Sequence, residues 1–179
     1  MENKICVYAI CKNEEQFVEK WLKSMSEADW IVVLDTGSTD STVEKLKEFK
    51  GNIIVEQKEI KPWRFDVARN ESLKLVPNDY DICVCTDLDE VFESGWREKL
   101  EKIWTKDTTR IRYNYNWSFD NQGNPAVNFY IDKIHSRNGY QWTHPVHEVL
   151  TYMKDKEHII TTDEITLNHY PDSKKSRSS

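Results

Sequence analysis

The strongest constraint on the fold is a regular alternation of short apolar runs and amphipathic stretches, which continues to about residue 105. The apolar runs have the length of buried strands and cover residues 5–10, 30–34, 53–55 and 80–85. Between them, apolar side chains recur at helical spacing over residues 14–26, 41–49 and 67–75, and again from Ser94 onward. Strands that alternate with helices in this way are typical of a parallel sheet with helices on both faces. We therefore predict an α/β fold.

The pattern changes near residue 107. Ile111, Tyr113, Tyr115 and Trp117 alternate with polar residues, which is typical of a half-exposed strand. A polar turn at 120–125 precedes its predicted return strand at 127–131. The sequence thus predicts a single domain over 1–170, with a parallel half (1–106) and an antiparallel, aromatic-rich half (107–170). We expect the polar, basic segment 171–179 to be a disordered tail or the cut end of a longer chain.

Size and charge exclude several classes of protein. A chain of 179 residues suits one domain, and no apolar run approaches the roughly 20 residues that cross a bilayer. The N-terminus lacks the apolar segment of a signal peptide, and the net charge of -6 argues against a nucleic-acid partner. We predict a cytoplasmic protein without a transmembrane segment, and peripheral contact with a membrane stays open. Four cysteines are expected to be buried free thiols, namely Cys6, Cys11, Cys83 and Cys85.

Acidic and polar residues follow the predicted strands. They occupy residues 11–14, 35–40 and 86–90, at the sheet edge where open parallel sheets bind ligands. Carboxylates that converge there repel one another unless a cation lies between them, and Mg²⁺ takes such oxygen ligands together with substrate phosphates. In Asp87-Leu88-Asp89, extended backbone would direct both carboxylates to one face. The alternative is a solvated loop, because two aspartates at this spacing are common.

Four segments occur in a characteristic order: Ile10-Cys11-Lys12-Asn13-Glu14, residues 34–42, Ala68-Arg69-Asn70 and Asp87-Leu88-Asp89. Together they resemble the family-2 glycosyltransferases of the GT-A fold, over about residues 4–105. Trp63-x-Phe65 and residues 144–148 are similar to one branch, which contains lipopolysaccharide-core glucosyltransferase-like proteins and bacteriocin-peptide glycosyltransferases. The resemblance implies a Rossmann-like, mostly parallel central sheet. It also implies that residues 1–106 bind a nucleotide-sugar and that residues 107–170 contribute acceptor and metal contacts.

The resemblance further implies an inverting, metal-dependent transfer of a sugar, expected to come from a UDP-hexose, to an acceptor hydroxyl or other nucleophile. The residues assigned to the donor are Ile10, Cys11, Asn13, Glu14, Asp35, Arg69, Asp87 and Leu88. Ile10 and Cys11 would contact the base through their backbone, and Asp35 would accept a hydrogen bond from a uracil N–H. Arg69 would face the base or the diphosphate, and Asp87 the ribose or the sugar. Many relatives carry a second aspartate where this chain has Thr36.

The implied cofactor is Mn²⁺ or Mg²⁺, held by Asp89, Asp87 and His147. A histidine ligand would favour Mn²⁺. His169 is a second candidate for the histidine beside the metal. Inverting transfer needs a base that takes the acceptor's proton, and Glu148 is the predicted catalytic base.

Each assignment has a structural alternative. Asp35 could be a turn cap without a role in binding, and Asn13-Glu14 could be the start of a helix without such a role. Arg69 could pair with Glu71 or Asp66 on a helix surface. His147 could be an ordinary loop histidine. Five aromatic residues either line an acceptor groove or form core, namely Trp117, Phe119, Tyr130, Tyr140 and Trp142.

Two alternative functions stay open. One is a non-catalytic or truncated module that binds a sugar nucleotide. The less favoured one is a haloacid-dehalogenase-like phosphatase, whose Asp-x-Asp motif normally ends the first strand rather than the fourth. The sequence leaves the acceptor open between a glycan, a lipid-linked saccharide and a peptide or protein.

Overall fold

The computed structural model describes residues 2–172, and within this range it contains ten strands and four α-helices. Most of the predicted tail, residues 173–179, lies outside the described residues. The elements in chain order are β1 Ile5–Cys11, α1 Val18–Met25, β2 Trp30–Asp35, α2 Thr42–Lys47, β3 Ile53–Gln57, α3 Phe65–Lys74, β4 Ile82–Cys85, β5 Glu90–Phe92, α4 Trp96–Ile103, β6 Arg110–Phe119, β7 Pro125–Ser136, β8 Tyr140–Thr143, β9 Val149–Tyr152 and β10 Ile159–His169.

Eight strands form one mixed sheet in the order β3-β2-β1-β4-β7-β6-β10-β5. Its first four strands are parallel, which confirms the predicted arrangement of the front half. The predicted hairpin is also present as β6 and β7, and β7 pairs antiparallel with β4. The back half therefore continues the same sheet. Strands β8 and β9 form a separate antiparallel pair.

The alternation of side chains in β1 explains why helices cover both faces. Ile5, Val7 and Ala9 point into a core shared with α1, α2 and α4, whereas Cys6 and Tyr8 point into a core shared with α3 and the β8–β9 pair. The apolar positions of the helices match these cores. In α1 the buried side chains are Val18, Trp21, Leu22 and Met25, which lie on one stripe at helical spacing. The predicted α/β fold, with helices on both faces of the sheet, is thus confirmed.

The segment after β4 differs from the sequence-based expectation. Leu88 and Asp89 lie in a tight turn, in which the N–H of Glu90 donates to the carbonyl of Asp87 at 3.1 Å. The expectation that extended backbone directs Asp87 and Asp89 to one face is therefore wrong. Strand β5 begins directly after the turn and pairs with β10. That pairing is long-range and has no local sequence signal.

The four cysteines are free and buried, as predicted. Cys6, Cys83 and Cys85 lie in the core between the sheet and α3, and Cys11 lies in the core on the other face. None of the helices in residues 2–172 is long and apolar enough to cross a membrane.

Candidate active site

Three parallel strands end side by side and bring the predicted polar segments together. In the register of the sheet, Cys11 at the end of β1 lies beside Asp35 at the end of β2. Tyr8 of β1 lies beside Cys85, the last residue of β4. The loops after these strands therefore share one edge of the sheet, where the alternating pattern predicts a ligand site.

Asn13 and Glu14 join the loop after β1 to the loop after β2. The Asn13 side-chain oxygen accepts hydrogen bonds from the backbone N–H groups of Thr39, at 2.7 Å, and Asp40, at 3.3 Å. The N–H of Glu14 donates to the Thr42 hydroxyl at 2.9 Å. Asn13 has a φ of 53°, a left-handed conformation in which asparagine is enriched. These contacts hold the rim of the site in place.

Asp35 is buried and caps its own loop. One carboxylate oxygen accepts from the N–H groups of Gly37, at 3.1 Å, and Ser38, at 2.9 Å. The other accepts from the Ser38 hydroxyl at 2.5 Å and from the Cys11 thiol at 3.4 Å. These contacts are the ones expected if Asp35 is a turn cap, which is the structural alternative given above. Its predicted contact with the base stays a prediction, and a ligand N–H would have to replace one of these four donors.

Arg69 connects two segments that are far apart in the chain. Its side chain is buried on α3, and Nη1 lies 2.7 Å from an Asp87 carboxylate oxygen. Its Nε lies 3.2 Å from a Glu148 carboxylate oxygen, and the guanidinium packs over the Trp142 ring at 5.6 Å. The structure therefore brings three predicted site residues, Arg69, Asp87 and Glu148, into one cluster.

The alternative pairing of Arg69 on the helix surface is wrong. Asp66 pairs with Arg64 at 2.6 Å, and Glu71 pairs with Lys58 at 2.9 Å and Lys74 at 3.0 Å. Arg69 is free of these partners because its position on α3 faces the sheet.

Charges around Asp87 keep its carboxylate ionised. Burial works to raise its pKa, but the Arg69 guanidinium and then the Lys133 ammonium lower the pKa of Asp87 to about 2. The pKa of Glu90 shifts in the opposite direction, because burial and the neighbouring Asp87 carboxylate raise it. Glu90 accepts hydrogen bonds from the Asp87 N–H at 2.7 Å and from the Tyr115 hydroxyl at 2.5 Å.

Asp89 pairs with His169 at the end of β10. His169 Nε2 lies 3.1 Å from an Asp89 carboxylate oxygen, and Nδ1 lies 3.0 Å from the Trp117 carbonyl oxygen. Since a carbonyl only accepts, Nδ1 carries a proton. Burial works to lower the pKa of His169, but the hydrogen bonds to Asp89 and Trp117 raise it to about 9. Of the two candidate histidines, His169 is the one that contacts the acidic segment.

His147 lies in an exposed part of the loop between β8 and β9, with a φ of 56°. The predicted trio of Asp87, Asp89 and His147 is not assembled. Within residues 2–172, no three histidine, cysteine or acidic side chains are placed to hold a metal ion together. Leu88 is buried in the core, so its side chain is not available to a donor.

A comparison with protein families identifies the family of the chain. The chain matches the family described as Glycosyl transferase family 2 over residues 6–159. The chain belongs to this family. A comparison with curated proteins found no significant match.

Solved structures of TarS from S. aureus share the fold of this family 2 chain. S. aureus TarS 1-349 in complex with UDP matches with a TM-score of 0.56 and 20% identity, over 66% of this chain and 36% of that chain. The same protein in complex with UDP-GlcNAc matches with a TM-score of 0.52 and 22% identity, over 66% and 35%. The matched part thus spans about a third of TarS 1-349, and the likeness at this identity shows the fold alone.

The chemistry of the Asp89–His169 pair fits a divalent cation in this family 2 chain. It offers one carboxylate and one imidazole, which would bind the ion through Nε2 after losing the proton there. The Nδ1–H of that ring donates to a backbone carbonyl, as is usual for metal-binding histidines. Mg²⁺ and similar ions are commonly held by one or two protein groups, with phosphates and water completing the shell. Two protein ligands would therefore suffice for a cation shared with a diphosphate.

The sequence analysis assigned no site role to Lys133 or Tyr115. It counted Glu90 in the acidic segment 86–90 but gave that residue no role of its own. The five predicted aromatic residues differ in exposure. Tyr140 and Trp142 are buried in the core, Phe119 is half-buried, and Trp117 and Tyr130 are exposed on the β6–β7 hairpin.

Proposed function

We propose that this chain binds a UDP-sugar and transfers the sugar, with inversion, to an acceptor nucleophile, assisted by Mn²⁺ or Mg²⁺. The observation that carries the proposal is the meeting of Asp87, Asp89, Arg69 and His169 at the carboxyl edge of the parallel strands, in a chain of glycosyl transferase family 2. The TarS complexes with UDP and UDP-GlcNAc, which share the fold, support UDP as the nucleotide.

Different residues of the site would bind different parts of the donor. Asp89 and His169 would hold the cation, which when bound offsets the negative charge that develops on the leaving diphosphate. Arg69 is already paired with two carboxylates and orients them. Asp87, ionised because of Arg69 and Lys133, can accept hydrogen bonds from the hydroxyls of the ribose or the sugar.

In the proposed reaction, the acceptor nucleophile attacks the anomeric carbon, and the bond from that carbon to the diphosphate oxygen breaks. The electron pair leaves with UDP, and the acceptor's proton passes to Glu148 as general base. Glu148 is mostly buried, with 16% of its side chain exposed, and Arg69 holds one of its oxygens. This contact gives the carboxylate a defined orientation at the edge of the site.

Calorimetric titration with UDP, with GDP as the control nucleotide, tests the donor site. The wild type should bind UDP at about micromolar concentrations with Mn²⁺ and far more weakly in EDTA. Asp89→Ala and His169→Gln should each remove most of the metal-dependent gain. Asp155→Ala and His158→Gln, which change exposed residues in the same way, should bind UDP like the wild type.

Each other outcome is informative. Unchanged binding by Asp89→Ala with Mn²⁺ would contradict the metal role of Asp89. Absence of UDP binding by the wild type under both conditions would refute the proposal. Binding without transfer to any acceptor would favour the non-catalytic module. The acceptor, the branch within the family, the cytoplasmic location and the single domain over 1–170 stay predictions, whereas the family match removes the phosphatase alternative.

A further inference from the structure

Lys133 lies at an irregularity of β7 beside the candidate active site. In the pairing of β6 with β7, Ile111 is opposite Ile134 and Tyr113 is opposite Ile131. Two residues of β7, Asp132 and Lys133, therefore occupy the space opposite the single residue Arg112. This arrangement is a β-bulge, and bulges often re-aim a side chain next to an active site.

The bulge places Lys133 beside the part of the candidate active site that lies at the end of β4. Val84 pairs with Ile134, so Lys133 lies next to the end of β4, at Cys85. The Cys85 thiol is 3.7 Å from Arg69 Nη1, which places this part of β4 beside the Arg69 cluster. Asp132, the other residue of the bulge, is held at 2.9 Å by Arg110. Lys133 is half-buried and remains accessible from solvent.

Lys133 has charged neighbours but no close ion-pair partner. Within residues 2–172, no carboxylate oxygen lies within 4.0 Å of its ammonium. Although burial works to lower it, the carboxylates of Glu90 and Asp87 raise the pKa of Lys133, so the ammonium stays charged. A half-buried ammonium has three N–H donors that need oxygen acceptors, and within residues 2–172 no hydrogen bond supplies one.

We infer that Lys133 is a substrate-binding residue that donates to a phosphate oxygen of the donor's diphosphate. The inference rests on the proposed function. Glu90 is already bonded to Tyr115 and to the backbone of Asp87, and Asp87 is bonded to Arg69. Neither carboxylate lies within ion-pair distance of the ammonium, so its N–H donors are available to an oxygen that comes from outside the protein. An anionic phosphate suits a cation better than a neutral hydroxyl does.

Titrations of three ligands with four proteins test this inference. The proteins are the wild type, Lys133→Met, Lys133→Arg and, as a matched control, Lys20→Met, which changes an exposed lysine of α1 in the same way. The ligands are uridine, UDP and a UDP-sugar, all with Mn²⁺. Lys133→Met should weaken the binding of UDP and the UDP-sugar by about tenfold to a hundredfold and leave uridine binding nearly unchanged. Lys133→Arg should recover most of this loss, and Lys20→Met should match the wild type.

A purely structural role gives a different result. If Lys133→Met lowers the melting temperature but leaves the ratio of UDP to uridine affinity unchanged, the inference is wrong. It is also wrong if only the UDP-sugar loses affinity, because the contact would then be to the sugar. If the wild type itself binds no UDP, the proposed function fails and this inference fails with it. The two failures are therefore distinguishable from the wild-type titration alone.

Discussion

A buried hydrogen-bond chain makes the stability of this protein sensitive to acid. His135 Nδ1 donates to the Ser136 carbonyl at 2.7 Å, and Nε2 accepts from the Tyr8 hydroxyl at 2.7 Å. The Tyr8 hydroxyl in turn accepts from Trp142 Nε1 at 3.0 Å. Burial, aided by the positive charges of Arg110 and Arg137, lowers the pKa of His135 to about 3. The folded protein therefore keeps this ring neutral.

The size of the effect follows from the difference between the folded and unfolded pKa values. An unfolded histidine titrates near pH 6.5, so below that pH the unfolded chain binds a proton that the folded chain excludes. The free energy of unfolding then falls as the pH drops from about 6.5 toward about 3, with a slope of up to about 1.4 kcal/mol per pH unit. Between about pH 7.5 and about pH 5, His135 should remove about 2 kcal/mol of stability.

Urea denaturation of the wild type and of His135→Gln at both pH values isolates this contribution. The comparison is necessary because His169, whose pKa is raised, adds stability as the pH falls and so acts in the opposite direction. The stability advantage of the wild type over His135→Gln should shrink by about 2 kcal/mol at the lower pH. His158→Gln, at an exposed position, serves as the control.

Two results would refute this reasoning. One is a stability difference between wild type and His135→Gln that does not change with pH. The other is an NMR titration of the wild type in which the His135 ring becomes protonated near pH 6.5. The NMR experiment uses the folded wild type alone, so it decides the question even if the variant does not fold.

Three further substitutions test the buried chain and the Arg69 cluster. Tyr8→Phe removes the partner of both the Trp142 N–H and His135 Nε2, so it should lower the free energy of unfolding by about 2–6 kcal/mol in urea denaturation at neutral pH. Arg69→Lys replaces a planar group that contacts two carboxylates with a single ammonium, so kcat/KM should fall by about tenfold to a hundredfold in a transfer assay. Glu148→Gln should lower kcat by about 10²–10⁴ while UDP affinity stays nearly unchanged, because a general base acts on the chemical step.

Matched variants provide the controls. Arg64→Lys alters an arginine whose pair with Asp66 is partly exposed, and Glu164→Gln alters an exposed glutamate; both should keep normal kcat/KM. Wild-type stability of Tyr8→Phe would mean that the buried chain is not maintained in solution. Normal turnover by Glu148→Gln would assign the base to another residue, and unchanged kcat/KM in Arg69→Lys would exclude a need for the second carboxylate contact.

The front half of the fold could be predicted because its signals are local. Apolar runs become strands, helical spacing produces the buried stripe of α1, and the parallel order places Asp35 and the acidic segment at one edge. Even there, local patterns did not specify contacts. The role of Asp35 as a cap depends on hydroxyl and N–H groups within its own loop, and the same residues are equally compatible with a ligand contact.

The back half shows where such reasoning ends. The hairpin was predictable from alternation, but the pairing of β7 with β4 and the bulge at Asp132 and Lys133 were not. A sequence pattern that predicts a strand does not predict which strand it pairs with. The hydrogen bonds between strands join backbone groups, which every residue except proline has in the same form. Strand β5 is short and pairs with β10, a partner that local sequence does not indicate. The tight turn before β5 was therefore not predicted, and the Asp-x-Asp spacing was taken to lie on extended backbone.

By itself, the sequence determined the α/β class, the positions of the strand ends and the residue types that collect there, since each depends on side-chain periodicity along a few residues. Only the tertiary structure decided which charges meet. His169 rather than His147 contacts Asp89 across 80 residues of chain, and Arg69 contacts Glu148 across 79. Pairing over such distances depends on how the strands are ordered in the sheet, and that order minimises the free energy of the whole chain rather than of any one segment.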